Sequence, residues 1–296
     1  CYPYSINHWN SLGKCYLSTN DYEEAHEAID FALAIDDSNA EALTLKAFCY
    51  QQSGELQKSC DYYLRLAEQQ ENKTRAYLAL AKTYFEMQDY TSSIYYIEAL
   101  LDNKDTLSKY ELSELYGDIA LCHAALKHIG VGQASIRRSL ELNENDPDTL
   151  IVAGRFFLME AKACNDETAK AENQAKGELY FRQALNLIME DERLDYLFTI
   201  GAACFDTQNF KLAAQYYEQI NREFPDNAPA TYFFLAYCYF YLEEAISCMH
   251  YIAKMKHELP DAYSNLGTSD SILSDTRFNE LMRNLKDSVN NGKVDL

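Results

Sequence analysis

The hydrophobic positions of this chain recur about every 34 residues, and within each period they follow helical spacing. A large residue is followed four positions later by a small one, and three positions after that by another large one. Such spacings place side chains on one helix face, so each period is predicted to contain an amphipathic helix. The first large residues are Trp9, Leu43, Tyr77, Tyr116, Leu150, Leu197 and Tyr232. The small residues are Gly13, Ala47, Ala81, Ala120, Gly154, Gly201 and Ala236. The second large positions are Tyr16, Tyr50, Tyr84, His123, Phe157 and Tyr239, and in the sixth period the small residue Cys204 takes this place.

A second helix in each period carries a small residue and, four positions later, a large one. The small residues are Ala25, Ser59, Ser93, Gly132, Gly177, Ala213 and Cys248. The large residues are Ile29, Tyr63, Ile97, Ile136, Phe181, Tyr217 and Ile252. We expect the small positions to let the two helices of a hairpin approach closely. We expect the large positions to fill the gap to the next hairpin.

Two insertions interrupt the period. About five extra residues lie around 102–108, and some eleven lie within 158–176, between Phe157 and Gly177. The second insertion is rich in Ala, Lys and Glu, so we expect both helices of that hairpin to be extended, with or without a disordered turn. A tolerated surface insertion is favoured over a functional protrusion, because loop length adds little free energy.

The chain resembles the tetratricopeptide repeat (TPR) family, whose pattern is W-x2-L-G-x2-Y followed by A-x3-F, A and P. The resemblance covers residues 6–260 and implies an all-α, right-handed superhelical solenoid of about seven repeats, starting near 6, 40, 74, 113, 147, 194 and 229. Residues 1–5 are interpreted as the tail of an upstream repeat. Residues 261–296 are interpreted as a capping helix and tail, with one apolar face formed by Phe278, Leu281, Met282, Leu285 and Val289.

The net charge and the cysteines of the chain indicate which partners and which cellular compartment to expect. The net charge of −20 repels phosphate backbones, so we expect no nucleic acid and instead a neutral, basic or apolar protein partner. No run of 18 apolar residues occurs, so no membrane span is expected. The cysteines recur before the second large position, at Cys15, Cys49, Cys122 and Cys238, which indicates small packing residues and reduced thiols in the cytoplasm. A lipid-anchored or periplasmic protein, attached through Cys1, is the alternative.

Catalytic and cofactor chemistry has little support in the sequence. HExxH, GxSxG and phosphate-loop motifs are all absent, and His123 stands at a packing position. We therefore expect neither an enzyme, nor a cofactor, nor a metal site.

The resemblance also places the binding surface. A TPR superhelix generally offers a concave face built from its first helices, and this implies a set of candidate partner-binding residues. They are Lys14, Phe48, Lys82, Arg155, Phe198, Phe205, Phe233, Tyr237 and Phe240. The five aromatics of the last two repeats form a candidate apolar patch, unless the capping helix or repeat packing covers them.

Some family members hold a terminal carboxylate with a Lys-Asn-Asn-Lys-Arg clamp. Lys14 and Lys82 match two of its lysines, but the asparagines are missing and Phe48 takes a position where a polar residue would help. The resulting hypothesis is a non-catalytic protein–protein interaction scaffold that holds a peptide or protein in its groove. The alternatives are a self-associating module, for example a homodimer, and the regulatory part of a longer protein with an upstream effector domain.

Overall fold

The structure, a computed structural model, describes residues 5–102, 107–265, 275–281 and 283. Within these ranges the regular structure is helical and no strand occurs, as the sequence pattern predicts. The chain divides into two compact units, residues 1–143 and residues 144–296. Each unit is a stack of helix hairpins.

The first unit contains four hairpins in its described residues. Its helices are α1 (Ile6–Ser18), α2 (Tyr22–Ile35), α3 (Ala40–Gln52), α4 (Leu56–Ala67), α5 (Lys73–Glu86), α6 (Tyr90–Leu101), α7 (Lys109–Ala125) and α8 (Ile129–Leu142). The second unit contains α9 (Pro147–Ala163), α10 (Glu167–Leu185), α11 (Arg193–Asp206), α12 (Phe210–Glu223), α13 (Tyr232–Tyr241), α14 (Ala245–Glu258) and α15 (Pro260–Asn265). Short 3-10 helices at Gln70–Asn72 and Pro225–Thr231 precede α5 and α13.

The hydrophobic core runs along each stack between successive helices. One cluster of buried side chains joins α3, α4 and α5, and includes Leu43, Tyr63 and Leu80. The next joins α5, α6 and α7 through Ala81, Ile97 and other residues. Each hairpin therefore depends on its neighbour for burial, which is the physical basis of a repeat protein.

The turn inside most hairpins ends the first helix in the same way. The second residue after the first helix has a positive φ. The backbone N–H of the residue after it donates to the carbonyl five residues back, as in Asp21 to Tyr16 and Asn209 to Cys204, both at 2.9 Å. The helix is thus capped by a residue in the left-handed conformation, which glycine adopts most readily. The residues that adopt it are Asn20, Gly54, Gln88, Lys127, Gln208 and Glu243, so only one of them is glycine.

The hairpin with the second insertion is built differently. Its extra residues lengthen both helices, to 17 residues in α9 and 19 in α10. Only residues 164–166 separate the helices, and Asp166 caps α10 by accepting the N–H of Ala169 at 2.7 Å. The extension of both helices was predicted from the sequence. The capped three-residue junction occupies the place where the sequence left a disordered turn open.

The small positions of the repeat do permit close helix approach, as the sequence predicts. A Cβ added to Gly13 would lie 2.8 Å from Ile29, and one added to Gly201 would lie 2.8 Å from Tyr217. The expected role of the large residues needs a correction. They cover the small residue of their own hairpin, in addition to any contact with the next one.

A stacked aromatic pair recurs where the second large position of the first helix meets the second helix. The pairs Tyr84–Tyr96 and Tyr239–Tyr251 are nearly parallel, with ring centres 5.5 and 5.9 Å apart, and their members are twelve residues apart in sequence. Phe157 and Tyr180 form the same stack at 5.6 Å although eleven more residues separate them. The insertion therefore leaves the packing register of its hairpin unchanged.

The recurring cysteines occupy the joints between hairpins, with one exception. Cys49 lies 3.6 Å from the carbonyl oxygen of Tyr22, and Cys122 lies 3.5 Å from the Ser93 hydroxyl, in each case on the preceding hairpin. Cys15 is exposed, so the expectation that it fills a helix–helix gap is wrong. It belongs to the first described hairpin, where that side of the helix has no preceding hairpin in the described residues.

Candidate functional site

The predicted binding residues are distributed over both units. Lys14, Phe48 and Lys82 belong to the first unit. The other predicted residues, Arg155, Phe198, Phe205, Phe233, Tyr237 and Phe240, belong to the second.

The ammonium of Lys14 is already engaged within the first unit. It forms an ion pair with Glu41 of the following hairpin, whose other carboxylate oxygen accepts a hydrogen bond from Asn10 at 2.9 Å. These two donors hold the pKa of Glu41 below its ordinary value. A partner carboxylate would therefore compete with Glu41 for Lys14.

Lys82 lies at the edge of a cavity of about 150 Å³ between α5 and α7. The lining includes the apolar residues Leu78 and Leu115 and three acidic residues of α7, Glu111, Glu114 and Asp118. Three carboxylates beside one ammonium favour a cationic or apolar ligand over an anionic one. This arrangement argues against a carboxylate clamp, as the missing asparagines already suggest. Phe48 is 41% exposed on α3.

The aromatic residues of the second unit form one continuous network. Phe205 of α11 packs edge-on against Phe234 of α13 with ring centres 5.5 Å apart, and contacts Tyr237 at 6.3 Å. Phe233 and Tyr237 lie one helical turn apart on α13, and their ring centres are 4.6 Å apart. Phe198 joins the network through Tyr217, which stacks on Phe234. Four of the predicted residues are thus brought together.

The network continues past the predicted residues onto α12. Phe210 contacts Phe205 at 5.7 Å and stacks on Tyr241 at 4.4 Å with an interplanar angle of 6°. We refer to the whole set as the aromatic surface. Its members are Phe198, Phe205, Phe210, Phe233, Phe234, Tyr237 and Tyr241. Phe233 and Tyr241 are 39% and 43% exposed, so the surface reaches solvent at both of these positions.

Phe240 differs from the other predicted residues because the chain itself covers it. Its side chain is only 5% exposed, and its ring centre lies 6.3 Å from that of Phe278. The covering residues, 276–281, are helical where the sequence predicts a capping helix. Met282, Leu285 and Val289 of the predicted apolar face lie outside the described side chains. Phe240 therefore contacts a covering segment, and a partner reaches it only when that segment moves.

Arg155 lies beside the aromatic surface. Its guanidinium is 3.7 Å from the carboxylate of Asp206, which directly follows Phe205 on α11. The pair places a fixed positive charge and a fixed negative charge at the edge of the surface. Arg155 is thus positioned to orient polar groups near Phe205, although part of its charge is balanced by Asp206.

Three members of the aromatic surface are not among the residues predicted from the sequence: Phe210, Phe234 and Tyr241. They lie outside the positions assigned to the groove. Phe210 begins α12, Phe234 lies between the groove positions of α13, and Tyr241 ends α13. The available signal was the composition of α13, in which seven of ten residues are aromatic. A helix that is apolar all round must be covered on several sides, so its exposed aromatics indicate an interaction surface.

Neither a metal-ligand cluster nor a membrane-spanning helix occurs in the part of the chain that the structure describes. Among the described residues, no three His, Cys, Asp or Glu side chains come together as metal ligands. No described helix combines the length and the apolar character needed to cross a membrane.

Comparison with known proteins identifies the class of repeat. Two family models described as tetratricopeptide repeat match residues 10–73 and 74–105. A solved tetratricopeptide repeat protein from Parabacteroides merdae ATCC 43184 has a TM-score of 0.59 and 14% identity, covering 94% of this chain and 98% of that one. PilW, described as a widely conserved type IV pilus biogenesis factor, has a TM-score of 0.50 and 18% identity, covering 74% of this chain and 94% of that one. No curated protein matches.

The helix hairpins, the matched repeats and the solved neighbour define an α-helical repeat protein of the solenoid class. Residues 10–105 match the tetratricopeptide repeat family, and the described helices have the fold of a solved tetratricopeptide repeat protein. Repeats of this family build scaffolds for protein–protein interaction, and they generally bind proteins or peptides.

Proposed function

We propose that this chain is a non-catalytic scaffold that holds a peptide or another protein on the aromatic surface of its second unit. The observation that carries the proposal is the continuity of that surface. Six rings on α11, α12 and α13 contact one another, Phe198 joins them through Tyr217, and two of the rings are substantially exposed. Clustered aromatics supply large contact area at low entropic cost, which is why they dominate protein interfaces.

The partner's contacting segment is proposed to be apolar and basic. The chain carries a net charge of −20, and the acidic side chains of Asp195, Asp206 and Glu243 are exposed on or beside the helices that form the aromatic surface. Opposite charge on the partner would speed encounter and orient it, while burial of the rings would supply affinity. The compartment proposed is the cytoplasm, because the eight described cysteines are free and most are buried as packing residues.

A paired substitution tests the proposal. Phe205→Ala together with Tyr237→Ala removes the centre of the aromatic surface, while the fully buried residues of α11 and α13 stay in place. Proteins captured from the native lysate by the wild-type chain would be identified, and the binding of the strongest one would be measured on both chains. We expect the double variant to lose at least tenfold in affinity, because truncated aromatic anchors commonly weaken binding by 2 kcal/mol or more, roughly.

The matched control is Tyr95→Ala, which removes an aromatic that is 63% exposed on α6, outside the aromatic surface. This variant should bind the same partner with unchanged affinity. Far-UV circular dichroism would verify that all chains keep their helicity. If the double variant and the control bind equally well, the aromatic surface is not the docking site.

The alternative proposal is that two copies of the chain associate through the aromatic surface. Light scattering over a range of concentrations separates the two proposals, because a chain that stays monomeric does not pair through this surface. A dimer that Phe205→Ala and Tyr237→Ala dissociate would replace the scaffold proposal with a homodimer.

A further inference from the structure

One end of the aromatic surface holds a side chain of the protein itself. The guanidinium carbon of Arg277 lies 5.3 Å from the ring centre of Phe240 and 5.4 Å from that of Tyr241. Both distances are within the range of cation–π attraction. The next residue, Phe278, is 8% exposed and packs toward Phe240. Residues 275–281, which we name the C-terminal segment, thus lie on this end of the surface through an arginine and a neighbouring aromatic.

The surroundings of the guanidinium suit a positive charge. Asp275 accepts hydrogen bonds from Nε of Arg277 at 3.1 Å and from Nη2 at 2.5 Å. A cavity of about 260 Å³ beside the ring pair is lined by Tyr241, Arg277, Leu281 and the carboxylate-bearing residues Glu243 and Glu280. Together with the electron-rich ring faces, these carboxylates create a negative environment that favours a guanidinium over an anionic group.

The contact made by Arg277 is of a kind that exchanges readily. Its side chain is 62% exposed, and solvent-exposed ion pairs and cation–π contacts are weak. The ring beneath it, Tyr241, stacks directly on Phe210 of the aromatic surface. A partner segment lying on Phe210 would therefore be adjacent to the place of Arg277.

We propose that Phe240 and Tyr241 form an arginine-binding subsite, filled by Arg277 and Phe278 in the isolated chain, from which an arginine-bearing segment of the partner displaces them. The partner segment would carry a large apolar residue next to its arginine, as the C-terminal segment does. This inference rests on the proposed function, because it assigns one end of the same surface.

A peptide added in trans tests the subsite with a defined probe. The probe is a fluorescein-labelled copy of residues 275–281, with the sequence Asp-Thr-Arg-Phe-Asn-Glu-Leu. In the native chain the tethered segment has a high effective concentration and should exclude the probe. In the full-length R277A/F278A variant the subsite is vacated, so we expect the probe to bind at least tenfold more tightly than to the native chain. Fluorescence anisotropy gives both dissociation constants.

Two controls make the measurement specific. A probe with alanine in place of its arginine should lose at least tenfold in affinity for the variant. Adding Tyr241→Ala to the variant should abolish binding of the original probe, whereas adding Tyr95→Ala should not. If R277A/F278A loses helicity by circular dichroism, R277A alone is measured in its place, because this substitution keeps Phe278 in its buried position.

Equal affinity of the probe for the native chain and the variant would overturn the subsite, and so would equal binding of the alanine probe. These outcomes are distinguishable from failure of the scaffold proposal. If the probe does not bind but Phe205→Ala with Tyr237→Ala still releases the partner, the scaffold stands and the subsite does not. If the probe binds but Phe205→Ala with Tyr237→Ala leaves partner binding unchanged, the scaffold proposal and displacement by that partner both fail, and only the arginine-binding subsite stands.

Discussion

The contact between Gly154 on α9 and Phe181 on α10 offers a quantitative test of the repeat packing. A Cβ at Gly154 would lie 2.4, 2.6 and 2.9 Å from three carbons of the Phe181 ring. Carbon atoms in proteins prefer separations of about 3.5–4.0 Å, so the ring would have to move by about 1 Å. Phe181 is fully buried, and it therefore has little room to do so. We expect Gly154→Ala to be destabilising although alanine is the better helix former.

The magnitude follows from two opposing terms. Replacing glycine by alanine inside a helix stabilises by about 1 kcal/mol. Forcing extra volume into a packed core destabilises by about 1–3 kcal/mol, and a fully buried ring lies toward the upper part of that range. The net expectation is a loss of about 1–2 kcal/mol, which lowers the Tm by roughly 2–8 °C for a unit or chain of this size.

Two other glycines provide graded comparisons. Gly130 in α8 has no atom within 4 Å of an added Cβ, so Gly130→Ala should be neutral or stabilising by up to about 1 kcal/mol. At Gly201 the nearest atom, in the ring of Tyr217, would be 2.8 Å away. Gly201→Ala should therefore fall between the other two variants. Thermal and urea unfolding followed by far-UV circular dichroism measures all three.

The order of the unfolding free energies of the three variants tests whether α9 and α10 are closely packed at Gly154. If Gly154→Ala is as stable as the native chain, the close approach of α9 and α10 is not a constraint and the packing argument is wrong. The same conclusion follows if Gly130→Ala is the least stable of the three. Combining Gly154→Ala with Phe181→Leu should recover part of the loss, because the two substitutions act on the same contact and are not expected to be additive.

The remaining predictions concern a helix cap and the pH dependence of stability. Asp166→Ala removes the side chain that caps α10 through the N–H of Ala169, and should destabilise by about 1 kcal/mol, measured by urea unfolding; an unchanged midpoint would show that the extended helix does not need the cap. Burial, and then the neighbouring His128, lower the pKa of His123 below its ordinary value of 6.5, and burial likewise lowers that of His26. As the pH falls, His123 and His26 are protonated first in the unfolded chain, whose histidine pKa values are higher. The free energy of unfolding is therefore unaffected by them above about pH 6.5 and declines as the pH falls toward their lower folded pKa values. His123→Gln should flatten that decline between pH 7.5 and 5.5, and an identical slope would contradict the assignment.

The repeat could be read from the sequence because its packing is local. Each small position contacts a large position of its own hairpin at a fixed helical spacing, as Gly13 contacts Ile29 and Gly201 contacts Tyr217. Such contacts depend on periodicity alone. The extension of α9 and α10 followed in the same way, because residues rich in Ala, Lys and Glu continue a helix more readily than they form a loop.

The candidate site was only partly predictable from the sequence, because its contacts join residues of different helices that do not recur at the repeat spacing. Nothing in the repeat indicates that Glu41 pairs with Lys14, or that carboxylates on α7 face Lys82. The position of Arg277 over Phe240 and Tyr241 depends on how the end of the chain folds back. The sequence predicted a cap there, but could not show which aromatic side chain it covers.

The composition of α13 connects the fold to the proposed function. The repeat requires only Tyr232, Ala236 and Tyr239 of this helix at its recurring positions, yet seven of its ten residues are aromatic. One side of the helix packs into the hairpin, and another lies under the C-terminal segment through Phe240. Phe233, on α13, is 39% exposed. The recurring positions of the repeat do not account for an aromatic at Phe233, and for this reason the residue supports the proposed binding surface.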